Sequence, residues 1–431
     1  CEAERSDKTG CVMLISMKLN RARFTGAALW VTGAIPVAVL VSIAASQVLI
    51  GLALLCLLAS GARLRLPPIK LPFAVFIAGT ILAWLASGDL RAGLPQIRKF
   101  FVLLVLVLVY SAFRRAREVR WVVLACGAAA AASALVSFLQ FFTKYRAAAR
   151  AHQPFYQSYV GERITGFMSH WMTLGGEEMM VLLLVAALLF FARAEMRWRI
   201  TAAACAAVLA VSMVLGLTRS VWLGTLAGGV YLLWAWRRVF IIALPLLLLA
   251  AMVFAPVRQR ALSLVRPHGD LDSNQFRVVV WRTGLRMIRA HPWLGLGPEE
   301  PRLQFMKYLP PDTPRPLPSG YYGHLHNVYL QYAAERGIPT MLAMLWLIGK
   351  VLFDCARTLR RGVADTDARF ILHGSVAAII AVLVAGFAEY NLGDSEVLTL
   401  FLATVGFAYI AVDAARGFGK PNLQTGPLLS G

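Results

Sequence analysis

The sequence predicts an all-α, polytopic integral membrane protein of about twelve transmembrane helices, interrupted by one long polar loop that contains short helices. Three observations lead there. Of 431 residues, 59% are hydrophobic and only 15% are charged. Runs such as 101–110, 181–191 and 241–251 contain no charge at all. Basic residues, in contrast, gather in the short segments between apolar runs. This is the pattern of a multi-span membrane chain. In lipid every backbone amide must be satisfied internally, so the spans are expected to be helices.

Residues 1–16 carry Cys1, Cys11 and no fold signal, and Met13 or Met17 is a possible start. They are set aside as a non-native or disordered N-terminus. Residues 17–254 are expected to hold spans one to nine, centred on 26–44, 46–62, 69–87, 99–113, 119–143, 170–192, 200–217, 220–236 and 239–254. Residues 255–326 form the long loop, and spans ten to twelve follow at 327–354, 370–390 and 395–413, with a tail at 414–431. Lys18, Arg21 and Arg23 precede the first span, and the even-numbered spans are followed by clusters such as Arg114/Arg115/Arg117/Arg120 and Arg357/Arg360/Arg361. All fall on one side, which the positive-inside rule makes the cytoplasm. The turn Leu217–Ser220, the long loop and the turn Glu389–Asp394 then share the opposite face. So does the basic segment with Lys144, Arg146, Arg150 and Arg163. Trp121, Trp171, Trp198, Trp222, Trp234 and Trp236 lie near span ends, as interfacial anchors do.

The formal net charge is +21. In a soluble chain that would suggest nucleic acid; here cytoplasmic loops account for most of it, and no nucleic-acid partner is expected. The rest lies in the long loop, with Arg258, Arg260, Arg266, Arg277, Arg282, Arg286, Arg289, Arg302 and Arg315. Such a concentration on the outer face suits an anion. The six cysteines are scattered without metal spacing.

Arg219 sits where two apolar spans meet, with Trp222 one turn on. An arginine there either snorkels to the interface or serves a function. Ser273 or Asn274 reads as the N-cap of a helix running to Ala290 and stopping before His291-Pro292. Val278, Trp281, Leu285 and Ile288 are expected to form its apolar face. Arg277 lies in its first turn, where free amides and a guanidinium favour an anion. Arg282, Arg286 and Arg289 form a basic stripe that reads as a solvated face, with Arg282 kept among the substrate-binding candidates. His324 and His326 precede Asn327 at the start of span ten. A histidine there either caps the helix or takes a proton from an alcohol. No third ligand has convincing spacing, so no metal site is expected. The glycines of Trp293-Leu294-Gly295-Leu296-Gly297-Pro298 allow a tight loop, which carries no nucleotide fingerprint. Glu177-Glu178 and Glu335-Arg336 read as polar groups inside the bundle.

Three stretches, in order, resemble one family. They are Thr218-Arg219-Ser220-Val221-Trp222, Arg277 with Trp281 followed by His291-Pro292-Trp293-Leu294-Gly295-Leu296-Gly297, and His326-Asn327-Val328-Tyr329-Leu330 with Glu335-Arg336-Gly337-Ile338-Pro339. Together, over roughly 170–410, the chain resembles the O-antigen ligase/polymerase superfamily of bacterial inner-membrane glycan transferases. Thr218 departs from the serine usual at its position. The resemblance implies transfer of a glycan from an undecaprenyl diphosphate donor on the periplasmic face, without metal, nucleotide or other cofactor and with inversion. It implies that Arg219 and Arg277 bind the donor diphosphate and that His326 acts at the acceptor hydroxyl. His324 has no firm counterpart in the family; with Arg282 and Asn327 it is kept as a further substrate-binding candidate beside these residues. The acceptor is lipid A–core oligosaccharide in a ligase, which the long basic loop favours, or another lipid-linked repeat in a polymerase. A twelve-span transporter is the alternative from another class, but the sequence shows no internal repeat.

Overall fold

The computed structural model describes residues 21–263, 274–318 and 320–417. Regular structure among them is helical, with no strand. We number the helices α1 (21–38), α2 (Ile43–Ala59), α3 (Lys70–Leu85), α4 (Leu90–Arg98), α5 (Phe100–Ala112), α6 (Ala116–Arg150), α7 (Phe155–Tyr159), α8 (Trp171–Phe191), α9 (Met196–Leu215) and α10 (Arg219–Trp236). There follow α11 (Ala243–Ala251), α12 (Ala255–Leu262), α13 (Asn274–Ala290), α14 (Glu300–Leu303), α15 (Phe305–Tyr308), α16 (Val328–Arg360), α17 (Thr366–Ala385) and α18 (Ser395–Ala415). The expected N-terminal segment 1–16, Lys18, Arg266, the proposed cap Ser273 and most of the C-terminal tail lie outside the described residues.

Every expected span overlaps a helix, but they are not equal. Seven are long and apolar enough to cross a membrane: Leu90–Ala112, α6, α8, α9, α16, α17 and α18. The count rises to eight if Arg238–Ala251 and α12, bent by 106°, form one broken span. The others do not reach that length or hydropathy, each for a physical reason. Helices α2 and α3 are apolar but have 17 and 16 residues. Helix α10 opens on Arg219-Ser220 and holds Gly224, Gly228 and Gly229, which dilute its hydropathy.

Helices α8, α17 and α18 form the centre; 72%, 72% and 83% of their most apolar windows are buried. Helix α10 lies close against α17. A Cβ on Gly224 would stand 2.6 Å from the Ala381 carbonyl, and one on Gly228 would stand 2.8 Å from that of Ala377. Small residues let helix backbones approach where lipid supplies no hydrophobic drive.

Helix α16 is two helices across a break. Gly337 has φ 78° and ψ 163°, and Pro339 follows. The break frees carbonyls that lipid could not satisfy. The loop after α13 satisfies them: Leu296 N–H donates to Ala334 O at 2.8 Å, and Gly297 N–H donates to Glu335 O at 3.0 Å. Ile338 N–H donates back to Pro292 O at 2.8 Å. The Trp293–Pro298 loop is therefore a structural plug. Beside it, Glu335 and Arg336 are buried, as the sequence suggests, and pair with each other, extended by Gln331 and Gln96. Glu177 and Glu178 are likewise buried, on α8.

Helix α13 runs to Ala290 as expected, but it turns a different face inward. Phe276, Val279, Val280 and Met287 are buried with Leu325 and Ala334. Trp281 and Ile288 only flank this cluster, while Val278 and Leu285 are 54% and 43% exposed. The helix carries two apolar stripes. The one with Phe276 and Met287 faces α16, leaving Val278 and Leu285 of the other outside.

Candidate functional site

Glu389 is the hub. It lies in the turn between α17 and α18 and is 5% exposed. Arg277, from the first turn of α13, donates from Nη2 to Glu389 Oε1 at 3.2 Å. Ser220, in the first turn of α10, donates from Oγ to the same oxygen at 3.1 Å. His326 Nδ1 stands 4.0 Å from Glu389 Oε2, too far for a hydrogen bond. Three segments that the sequence assigned to one face thus meet at one carboxylate. Burial works to raise the Glu389 carboxyl, but His326, Arg277 and His324 outweigh it and hold it below the usual carboxylate range.

Asn327 fixes this meeting. Its side-chain oxygen caps α16 by accepting from Leu330 N–H at 2.9 Å, and its amide donates to Phe387 O at 2.9 Å. Val328 N–H donates to Gly386 O at 2.8 Å. The start of α16 is thereby pinned to the turn that carries Glu389. Both ends of the Asn327 amide are engaged, so the residue serves as cap and strut, not as a free ligand. The cap is Asn327, so neither histidine fills that role.

His326 has φ 47°, a left-handed conformation uncommon outside glycine. Such strain clusters at functional sites. Its Nε2 lies 3.2 Å from Tyr321 O, a geometry in which Nε2–H donates. That leaves Nδ1, which has no hydrogen-bond partner among the described residues, facing Glu389 with its lone pair. His324 Nδ1 accepts from the His326 backbone N–H at 3.2 Å, and the two rings stand 4.0 Å apart. Burial, then the neighbouring His326, pushes His324 down to about 3. It is a neutral support for the strained turn.

Arg219 opens α10 and is half-buried, with Nη1 3.1 Å from Ser263 Oγ. Ser263 Oγ in turn donates to Arg260 O at 2.8 Å. Two buried arginines complete the group. Arg260 Nε donates to Leu217 O at 3.0 Å, and Arg163 Nη1 donates to the same oxygen at 3.2 Å and to Thr218 Oγ1 at 3.1 Å. Leu217 itself has φ 47°. Burial, then Arg260, lowers the Arg163 guanidinium to about 9, while Glu389 opposes the shift. Arg163 is placed by Gln140, whose Oε1 accepts from Thr165 and Gly166 N–H. The sequence put Arg163 and Arg260 on the same face as Arg219 but gave no sign that either turns inward. His170 was also missed; it caps α8 and is lowered by burial while Glu389 opposes.

Arg282 is not brought to this group. It pairs through Nη2 with both oxygens of Asp312, at 2.9 and 2.8 Å, on the surface. Five residues along a helix turn it about 140° from Arg277. Its assignment to substrate binding is not supported by this placement. Among the described residues no group of three or more His, Cys, Asp or Glu side chains could hold a metal ion.

Residues 203–345 match the family model described as O-antigen ligase. This match, over about a third of the chain, supports an O-antigen ligase/polymerase superfamily assignment. The matched segment includes Arg219, Arg260, Arg277, His324, His326 and Asn327, while Arg163 and Glu389 lie outside it. No curated protein matches the chain. With seven apolar helices of sufficient length and this match, the protein is a multi-pass membrane protein, and the matched family is one of membrane glycosyltransferase-like enzymes.

Proposed function

We propose that this protein is an O-antigen ligase of the bacterial inner membrane. It transfers a glycan from undecaprenyl diphosphate to lipid A–core oligosaccharide at the periplasmic face, without a metal and with inversion. Twelve membrane crossings and a periplasmic 255–326 loop are part of this reading. The observation that carries it is the convergence of Arg277, Ser220 and His326 on buried Glu389, with Arg219 one residue away in the chain.

The chemistry follows from the charges. As the glycosidic bond breaks, negative charge grows on the lipid diphosphate. Arg219 and Arg277 stabilise it with guanidinium groups already held in place by Ser263 and Glu389. Arg163 and Arg260 hold the strained Leu217 carbonyl and so fix where Arg219 starts. The acceptor hydroxyl donates its proton to His326 Nδ1, and its oxygen attacks the anomeric carbon from the side opposite the diphosphate. The imidazolium so formed faces Glu389, whose charge stabilises it.

Reconstitution tests the reading. Purified protein in proteoliposomes receives undecaprenyl-diphosphate glycan and rough lipopolysaccharide. Product on lipid A–core supports the ligase. Longer lipid-linked chains would mean a polymerase, and neither product would overturn both. Activity should survive EDTA; loss of activity restored by a divalent ion would contradict the metal-free step.

A further inference from the structure

The site leaves the outer face of α13 unused. Val278, Arg282, Leu285 and Arg289 succeed one another at four- and three-residue spacing, so they share one helix face. Val278 and Leu285 are exposed, and so are Arg282, Arg286 and Arg289. Arg286 also donates to Leu309 O at 3.1 Å, which ties it to the loop without burying it. Just beyond the helix, Trp293 is 75% exposed and Leu294 is 42% exposed. Large apolar groups that alternate with arginines on an exposed helix face mark a surface seated at the lipid–water boundary.

The height of this face is set by its neighbours. Residues 292–297 bond to the break of α16 at Gly337. From that break α16 presents Ile338, Leu342 and Trp346 outward, 37%, 53% and 47% exposed. A Cβ on Gly297 would stand 2.3 Å from the Ser87 side chain, so the same loop also meets the end of α3, where its apolar run stops. Two apolar helices therefore reach one level at this loop, and Trp293 sits there as interfacial tryptophans do.

We propose that the exposed face of α13, with Trp293 and Leu294, rests on anionic phospholipid headgroups of the bilayer that holds the bundle. Leu285, Trp293 and Leu294 enter the boundary region, and Arg286 and Arg289 pair with lipid phosphates. This contact fixes the angle of α13 and hence the height of Arg277 above the membrane. It stands apart from the transfer reaction, because lipid contact is read without turnover.

A nitroxide attached to Leu285→Cys tests this in full-length protein. The four described cysteines are buried, and Cys1 and Cys11 are replaced by serine. Bilayers are made of phosphatidylcholine alone or with phosphatidylglycerol. Accessibility to oxygen relative to an aqueous nickel chelate should rise severalfold over that of a label at Arg361→Cys, and rise again with phosphatidylglycerol. Arg286→Glu with Arg289→Glu should remove the response to phosphatidylglycerol, and Arg286→Gln with Arg289→Gln should weaken it. Both pairs are on the surface, and unchanged thermal unfolding in detergent separates this from misfolding. An aqueous label in both bilayers would overturn the proposal. So would a label shielded only when rough lipopolysaccharide is added, which would make this face an acceptor surface.

Discussion

Arg277 and His326 make different contributions, and substitutions separate them. Arg277→Ala or His326→Ala should cut the initial rate of glycan transfer about a hundredfold or more, the range for removing one transition-state donor or one base. Arg277→Lys should recover little, because a point charge lacks the planar fork that reaches both Glu389 and a phosphate. Equal rates for wild type and all three variants in proteoliposomes would sink the mechanism. Glu389→Gln keeps the size and loses the charge facing His326 and Arg277; we expect kcat to fall more than KM rises. His324 answers to pH through stability. Its folded pKa is about 3, below the ordinary histidine value of 6.5, because burial disfavours the cation. The unfolded chain therefore binds more protons between these values, and stability falls as pH drops from about 6.5 towards 3. Melting temperature should drop more between pH 7.5 and pH 5 in wild type than in His324→Gln. Equal drops would contradict a buried neutral His324.

At the scale of elements, the broken helix α16 and its plug depend on glycine at two facing positions. A Cβ on Gly337 would stand 2.0 Å from Trp293 O, and one on Gly295 would stand 2.4 Å from the Glu335 carbonyl carbon. Both residues also have positive φ. Gly337→Ala should lower stability by more than the ~1–3 kcal/mol of a left-handed residue alone, since the backbone contact must also open. Gly349→Ala, in open space on the same helix, should be neutral or slightly stabilising. Thermal unfolding in detergent compares them, and similar melting temperatures would deny the plug. These positions also show what the sequence could tell. The helix Asn274–Ala290, the apolar spans and the facing turns follow from hydrophobic runs, Pro292 and basic loops. The inward face of α13 does not, because two apolar stripes share one helix and only α16 selects between them. Arg163 and Arg260 were hidden for a similar reason. An arginine in a polar loop reads as solvated until a distant carbonyl, here Leu217 O, is found to accept from it.

For the whole molecule, the decisive quantity is sidedness. Arg277, Ser220 and Glu389 meet through space although they are far apart in the chain, so one face must carry all three. The proposed reaction needs that face to be periplasmic, where both the diphosphate-linked donor and the lipid A–core acceptor would be found. A transporter would make a different demand: related halves and polar groups in broken helices near mid-membrane. Helix α16 is broken, but the freed carbonyls at its break accept from a protein loop, not from a translocated solute. Arg302 and Arg361 are exposed at positions that the basic-loop pattern assigns to opposite sides. Single cysteines at each, with Cys1 and Cys11 replaced by serine, can be labelled by a membrane-impermeant maleimide, since the four described cysteines are buried. In spheroplasts, Arg302→Cys should label from outside and Arg361→Cys only after lysis. The reverse result would put Arg277 and His326 on the cytoplasmic face, away from any lipid A–core acceptor, and would end the ligase reading whatever their contacts with Glu389.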